Sequence, residues 1–345
     1  MKKNGKVYHI IDSIKGGCGK TTFSIMFAEY LNTCEPENSN RKSVLLDMDF
    51  LGTGLFNIFY HNIRSDNFEE TRKEFLNSNC FINDRIRGVD NVYGKKYITK
   101  LQVEGKEFYI AFGNPSYDVK EDYLQATKNG FSMGLKFGTI RAGLRKMLDN
   151  NELEKQLPFI PRHIIVDLAP CNDSYSQAAK DVFFDRDESK IITKEDTINY
   201  YLMSGLDSSH LYNICSYLRN ILNRADKMPN NIFIILNDTR YRNSKNTKEI
   251  KSEVKVYDYR FDYIEKFLVN IPEDRFNSIH FLALNYYKNY QDFLMQLEPL
   301  INVKEKEPGS EDSIFEHNPF RFCREKGKTI QVINDAEKKV LEWIQ

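Results

Sequence analysis

Short runs of continuous apolar residues, separated by longer amphipathic stretches, set the rhythm of this chain. Val7 to Ile14, Ser43 to Met48, His163 to Leu168 and Asn231 to Leu236 carry almost no polar alternation. That is the pattern of strands covered on both faces, since a half-exposed strand would alternate apolar and polar positions. Thr22 to Leu31 is amphipathic, and Phe137, Ile140, Leu144, Met147 and Leu148 recur at helical spacing with Arg141, Arg145 and Lys146 off the stripe. A further helix is predicted from about Asp173. Thr197 to Met203 reads as a strand, with Ile191-Ile192 as its rival, and Ser204 to Ser209 offers caps for a helix from His210 to Leu222. This alternation predicts an α/β fold: a doubly wound, mostly parallel sheet flanked by helices. Residues 55 to 135 mix aromatic and charged positions without a clear period. The exception is a hairpin, Lys95 to Val103 and Lys106 to Phe112, turning at Glu104-Gly105.

Between the first strand and the first helix stands Lys15-Gly16-Gly17-Cys18-Gly19-Lys20-Thr21-Thr22. Glycines allow dihedrals that a Cβ forbids, so several backbone N–H groups can converge on one anion and approach it closely. A helix starting at Lys20 adds unpaired N–H donors and the positive end of its dipole. Lys20 then lies along the β and γ phosphates of a nucleoside triphosphate, and the Thr21 hydroxyl is a ligand for the accompanying Mg²⁺. The competing reading, an ordinary tight turn, does not require Gly-Lys-Thr-Thr in this position.

Two other strands end in acids. Asp47 and Asp49 are two residues apart at the end of Ser43 to Met48, a spacing that puts both carboxylates on one side of a strand. The bland alternative is that they cap a helix starting near Gly52. Asp167 ends the strand from His163, and Pro170 stops the chain just beyond it. An acid in that place holds Mg²⁺ directly or through water. Asn237 ends the strand from Asn231, and an amide there both donates and accepts, which suits the edge of a purine.

The loop departs from the common P-loop pattern: Ile14 stands where its first glycine would be, and an additional lysine, Lys15, opens it. Lys15-Gly-Gly-x-Gly-Lys20-Thr-Thr resembles the deviant P-loop of the ParA/MinD family of dimerising ATPases. The order that follows is similar too: D-x-D at Asp47 and Asp49, Asp167-x-x-Pro170, Asn237, then Ile271-Pro272. The resemblance implies ATP and Mg²⁺ as ligands, an ATP-bound homodimer, and Lys15 reaching the partner subunit's nucleotide. It also implies Asp49 orienting the attacking water, Asp47 supporting the Mg²⁺ shell, and Asn237 and Pro272 against the adenine. Two departures weaken the match. Phe50-Leu51 replaces the Pro-Gln that often follows D-x-D, and Ala169 replaces the first proline of D-x-P-P. Family members usually carry less chain where residues 60 to 130 lie, so that stretch reads as an insertion in a domain spanning 1–300, followed by a linker and C-terminal helix over 301–345.

Composition narrows the rest. The chain has 345 residues, with 49 basic and 49 acidic side chains, so bulk charge selects neither nucleic acid nor an acidic surface. Cys18, Cys34, Cys80, Cys171, Cys215 and Cys323 form no C-x-x-C pair, and the six histidines are scattered. That pattern favours free thiols in a reducing cytoplasm over a disulfide framework or a zinc site. Met1 to Lys6 turns directly into the first strand, which leaves no room for an apolar signal segment, and no run approaches the length of a membrane span. Between Arg219 and Arg260 ten Lys/Arg stand against five Asp/Glu, including Arg240, Arg242, Lys245, Lys248 and Lys251. A solvated helix face is the ordinary meaning of such a patch, whereas the resemblance implies nonspecific DNA. Asp335 to Gln345 reads as a small amphipathic helix after a flexible connection at Glu305 to Ser313. Lys338 and Lys339 are offset by Glu337 and Glu342, which favours packing on the domain over the membrane contact of MinD-like relatives. The leading expectation is a ParA-type switch that positions DNA or another large cargo and needs an activating partner protein. The alternatives are a MinD-like membrane regulator and a P-loop kinase or ligase acting on a small molecule.

Overall fold

The computed structural model describes residues 5–34, 42–50, 54–56, 58–59, 68–87, 94–103, 106–114, 130–170, 174–184, 192–222, 228–237, 247–269, 278–284, 318–333 and 339–344. Its strands are β1 (Val7–Ser13), β2 (Ser43–Met48), β3 (Thr99–Val103), β4 (Lys106–Ala111), β5 (His163–Leu168), β6 (Thr197–Ser204), β7 (Asn231–Leu236), β8 (Ser278–Leu284), β9 (Phe320–Glu325) and β10 (Gln331–Val332). They form one sheet in the order β10-β9-β8-β7-β6-β1-β5-β2-β4-β3. The block from β8 to β4 is parallel throughout, and β3, β9 and β10 close the edges in antiparallel pairing. The expected doubly wound, mostly parallel sheet is present.

β1 is the centre because both of its neighbours, β5 and β6, arrive later in the chain from opposite directions. This is the topological switch point of such a sheet, where a crevice opens beyond the strands' carboxyl ends. Every residue of β1, β2, β5 and β7 is buried, in keeping with their unbroken apolar character. On one face of the sheet α1 (Lys20–Cys34) and α2 (Phe68–Ser78) contribute to a core with Phe23, Phe27, Leu45, Phe75 and Phe233. On the other, α3 (Ile82–Arg87), α4 (Gly130–Leu148), α5 (Asn150–Gln156), α6 (Ser174–Phe184), α7 (Ser208–Leu222) and α8 (Thr247–Leu268) pack on Tyr8, Ile10, Val166 and Ile234.

The aperiodic stretch after β2 makes sense in three dimensions. Phe56, Phe59, Phe75, Phe81, Phe108 and Phe112 are buried and meet as a group of edge-on and stacked rings. The hairpin forms and joins the main sheet, with β4 parallel to β2. Of the rival strands, Thr197–Ser204 is in the sheet, and Ile191 lies outside the described residues. Phe267 and Leu268, just before the Ile271-Pro272 pair, end the long helix α8, and the strand after β7 is β8. Ile271 and Pro272 themselves lie outside the described residues.

The tail holds an element that the polar pattern hides. β9 lies where the sequence predicts a linker; Phe320, Phe322 and Cys323 are buried, and Arg324 is buried with them. The arginine tolerates this because Asp258, Asp262 and Glu265 of α8 surround its guanidinium at 2.8, 2.7 and 2.6 Å. Last comes α9 (Lys339–Ile344). Val340 and Ile344 are fully buried, Asn199 donates its amide to the Ile344 carbonyl, and Trp343 stacks on His280 at 4.2 Å between ring centroids. This helix packs back on the sheet. No helix among the described residues is long and apolar enough to cross a membrane.

The docking of α9 gives a first expected outcome. Ile344→Ala leaves a cavity against β6 and should cost about 2–5 kcal/mol, read as a lowered urea midpoint with unchanged slope. A change below about 0.5 kcal/mol would mean that the helix is detached in solution.

A second concerns acid. His9 is fully buried at the start of β1, with Nδ1 3.0 Å from the Tyr201 hydroxyl and Nε2 3.0 Å from His163 Nδ1. Burial, and then the neighbouring His163, hold its imidazole well below the ordinary histidine range. The unfolded chain therefore takes up a proton that the folded one refuses, and the stability is lost as pH falls below about 6.5. The stability difference between the native chain and His9→Gln should shrink from pH 7 to pH 5, by at most about 1.4 kcal/mol per pH unit. A difference independent of pH would contradict the buried neutral imidazole.

Candidate functional site

The loop after β1 is built on two backbone positions that demand glycine. Gly17 and Gly19 have φ of 75° and 82°, in the left-handed region that β-carbons oppose. At Gly19 the requirement is double, because a Cβ would stand 2.6 Å from the Asn237 side-chain nitrogen. Gly16 and Gly17 are exposed, Cys18 is buried, and α1 begins at Lys20. The loop is braced from the neighbouring strands: Asn237 donates its Nδ2 to the Cys18 carbonyl at 3.0 Å, and Gly205, after β6, makes a backbone contact with the Cys18 thiol. Burial pushes that thiol above its ordinary pKa.

The acids stand beside the loop. Asp167 lies in register with Ile11 of β1 on one side and with Asp47 of β2 on the other, and both aspartates are fully buried. Neither Asp167 oxygen has a hydrogen bond of good geometry, nor has Asp47 Oδ1. Burial raises Asp167 to about 7; Asp49 adds to the rise, and Lys20, Thr21 and Ser24 oppose it from close by. Asp47 is raised to about 8, by burial first and then by Asp167 and Asp49. Its Oδ2 accepts from the backbone N–H groups of Leu55 and Gly113, at 2.8 and 3.2 Å. The capping alternative is thus true of one Asp47 oxygen, which fixes the turn at Gly54–Phe56, while the other remains unsatisfied. Asp49 lies beyond the end of β2 and is half-buried.

Lys20, Thr21, Asp47, Asp49 and Asp167 therefore converge. Two buried, like-charged carboxyl groups side by side are unfavourable unless a proton or a cation neutralises them. Unsatisfied carboxylate oxygens next to a threonine hydroxyl form a hard oxygen donor set, which fits Mg²⁺ better than a softer metal. No group of three or more His, Cys, Asp or Glu side chains arranged to hold a metal by themselves occurs among the described residues. Thr21 and the phosphates would have to complete the shell.

The two lysines of the loop diverge. Lys20 is buried next to Asp167. Lys15 is half-exposed, and its ammonium donates to Ser209 Oγ at 2.7 Å, at the start of α7. Ser209 in turn donates to Asp207, which also accepts from the His210 N–H and so caps α7. The Lys15 carbonyl accepts from Ser13 Oγ at 2.7 Å. Asn237 follows β7, and its amide nitrogen is occupied by the loop itself. Thr22 is half-buried on the first turn of α1.

Sequence reasoning missed Ser209 and Gly205, whose parts depend on the β6–α7 turn lying against the loop, and Ser13, whose bond to the Lys15 carbonyl is local. It also missed Asp12, a single acid inside an apolar strand. Of the basic patch, Lys248, Lys251 and Lys255 are exposed on α8, whereas Arg240, Arg242 and Lys245 lie outside the described residues.

Fold and site together define a doubly wound α/β protein whose central strand delivers a glycine-lysine loop to the switch point. No family model matches the sequence, and no curated protein matches it. Among solved structures the chain is similar to pNOB8 ParA, with 16% identity, a TM-score of 0.46 and coverage of 84% of this chain and 80% of that one. It is also similar to the cell division ATPase MinD of Pyrococcus furiosus, at 13% identity and TM-score 0.44 over 89% of this chain and 93% of that one. A third is a plasmid partition protein of Borrelia burgdorferi bound to AMPPNP, at 15% identity and TM-score 0.44 over 86% and 91%. At such identities the chemistry has to be argued from the residues of this chain.

Proposed function

We propose that this chain is an Mg²⁺-dependent ATPase of the ParA/MinD kind, a switch that pairs with a second copy when ATP is bound and separates after hydrolysis. The observation that carries the reading is the divergence of the two loop lysines. Lys20 is buried against the carboxylates, where a lysine serves the subunit's own β and γ phosphates. Lys15 instead points along the outside of the site to Ser209. A cation held there is available to a neighbouring subunit, and its place in the sequence matches the deviant P-loop.

In this reading Gly16 to Thr22 wrap the phosphates with backbone N–H groups, and Thr21, Asp47, Asp49 and Asp167 would hold the metal. Mg²⁺, when bound, neutralises charge on the phosphate oxygens. Asp49, at the mouth of the site, orients the attacking water. Asn237 and Pro272 would contact the purine, Asn237 through its Oδ1, since its Nδ2 is engaged by the Cys18 carbonyl. Hydrolysis is slow until Lys15 arrives from the partner copy or an activating protein completes the site. The cargo is DNA or another large body, reached through the basic region between Arg219 and Arg260, in which Lys248, Lys251 and Lys255 are exposed on α8. The burial of Val340 and Ile344 disfavours the C-terminal helix as a membrane anchor.

The test is direct. Calorimetry should give ATP binding that strengthens with Mg²⁺, and light scattering should show a monomer with ADP and a dimer with a non-hydrolysable ATP analogue. Gel shifts with nonspecific DNA at two salt concentrations, beside liposome flotation, read the surface; retention on DNA should need ATP and fall steeply with salt. A chain that fails to hold ATP, or turnover that requires a small phosphate acceptor, would overturn the proposal.

A further inference from the structure

Asp12 is the one acid in β1, and it is almost wholly buried. Three groups converge on its Oδ2: the Lys180 ammonium of α6 at 2.9 Å, the Tyr200 hydroxyl of β6 at 2.7 Å and the Tyr217 hydroxyl of α7 at 3.2 Å. Lys180 also donates to Tyr217, and its side chain is only 3% exposed. Oδ1 faces the other way and accepts from the Ser13 N–H at 2.8 Å. One carboxylate thus joins the last turn of β1 to α6, which follows the Asp167 loop, and to α7, which begins beside the phosphate loop.

A buried ion pair is a poor investment in stability alone, because desolvation consumes most of its attraction and apolar residues of similar volume do as well. What such a pair does supply is register. Here the register reaches Lys15 by two routes. Ser13, held by Asp12 through its N–H, binds the Lys15 carbonyl through its hydroxyl. α7, held by Asp12 through Tyr217, binds the Lys15 ammonium through Ser209. The lysine is gripped at both ends, and both grips lead back to the same buried carboxylate.

We propose that Asp12, with Lys180 and Tyr217, is the positioning unit for Lys15, setting where that lysine emerges from the loop. This rests on the ATPase reading above, in which Lys15 acts in hydrolysis and Gly16 to Thr22 bind. The unit therefore governs kcat and leaves nucleotide affinity nearly alone.

The experiment compares Asp12→Asn, Lys180→Met and the double variant with the native chain. Each single variant leaves an unmatched buried group and should lower Tm, whereas the double variant removes both charges and should recover most of it. In the double variant the ATPase kcat should remain at least tenfold down while the Kd for a fluorescent ATP analogue stays within threefold. Double-variant chains with native Tm and native kcat would overturn the proposal, as would a kcat loss matched by an equal loss of affinity. Tyr217→Phe keeps the packing and removes one hydroxyl, so it serves if the double variant does not fold; its kcat should fall at constant Kd, and an unchanged kcat counts against us. Hydrogen exchange of the nucleotide-free chain separates the two readings: amides of residues 13–17 should exchange at least tenfold faster in the variants even if ATP proves not to be the ligand. Unchanged exchange there would sink the positioning role by itself.

Discussion

Lys15→Ala should bind ATP with the affinity of the native chain and lose its hydrolysis by a factor on the order of 10³ to 10⁵, the range over which a cation supplied to a transferring phosphoryl group acts. The physical reason is the geometry of the loop. The Lys15 ammonium is held at Ser209, outside the cradle that Gly16 to Thr22 form. Removing it leaves the glycine dihedrals, the α1 N-terminus and Lys20 in place, so ground-state affinity persists. What disappears is an interaction made only as charge develops, and such losses appear in kcat. Steady-state ATPase assays beside equilibrium titration decide the matter, with ATP-analogue dimerisation by light scattering as the third reading. Equal turnover in the two chains would end the idea that this lysine works across a subunit boundary.

Lys20→Ala should act on the opposite parameter. Lys20 is a buried cation close to Asp167, and it opposes the rise of that carboxyl's pKa. Its removal takes away charge-assisted hydrogen bonds to phosphate, worth about 1.5–3 kcal/mol each. It also strips the site of positive charge while three carboxyl groups stay. Two such bonds correspond to at least about a hundredfold in affinity, enough to remove binding from a calorimetric titration at ordinary concentrations. Native-like binding in Lys20→Ala would mean that the phosphates do not lie along this helix start. The pair of variants is more informative than either alone, because two lysines five residues apart should give opposite splits between binding and turnover.

These outcomes follow from a site of which about half could be read before folding is considered. The glycine loop, its lysines and Thr21 are local: they act because adjacent backbone units take particular dihedrals, and dihedral preference is written residue by residue. Asp47 and Asp167 were legible as acids ending buried strands, since an unbroken apolar run is itself the signature of the central sheet. That they are register partners on adjacent strands, leaving unsatisfied oxygens side by side, depends on β5 inserting between β1 and β2. Chain order does not reveal that insertion. Asn237 illustrates the same boundary. Its place at the end of β7 was foreseen, but its grip on the Cys18 carbonyl requires β6 and β7 to lie beside β1.

The sequence by itself determined the parallel α/β architecture, the glycine loop and the acids that end its strands, because periodicity and glycine content act over a few neighbouring residues. Only the tertiary structure decided that Phe320–Glu325 is a strand of the sheet, with Arg324 neutralised by three acids of α8. It alone brought Asp12, Lys180 and Tyr217 together across as many as 205 residues of chain. Burial of a charge depends on which partners the fold delivers to it, and long-range delivery leaves no mark in a local pattern.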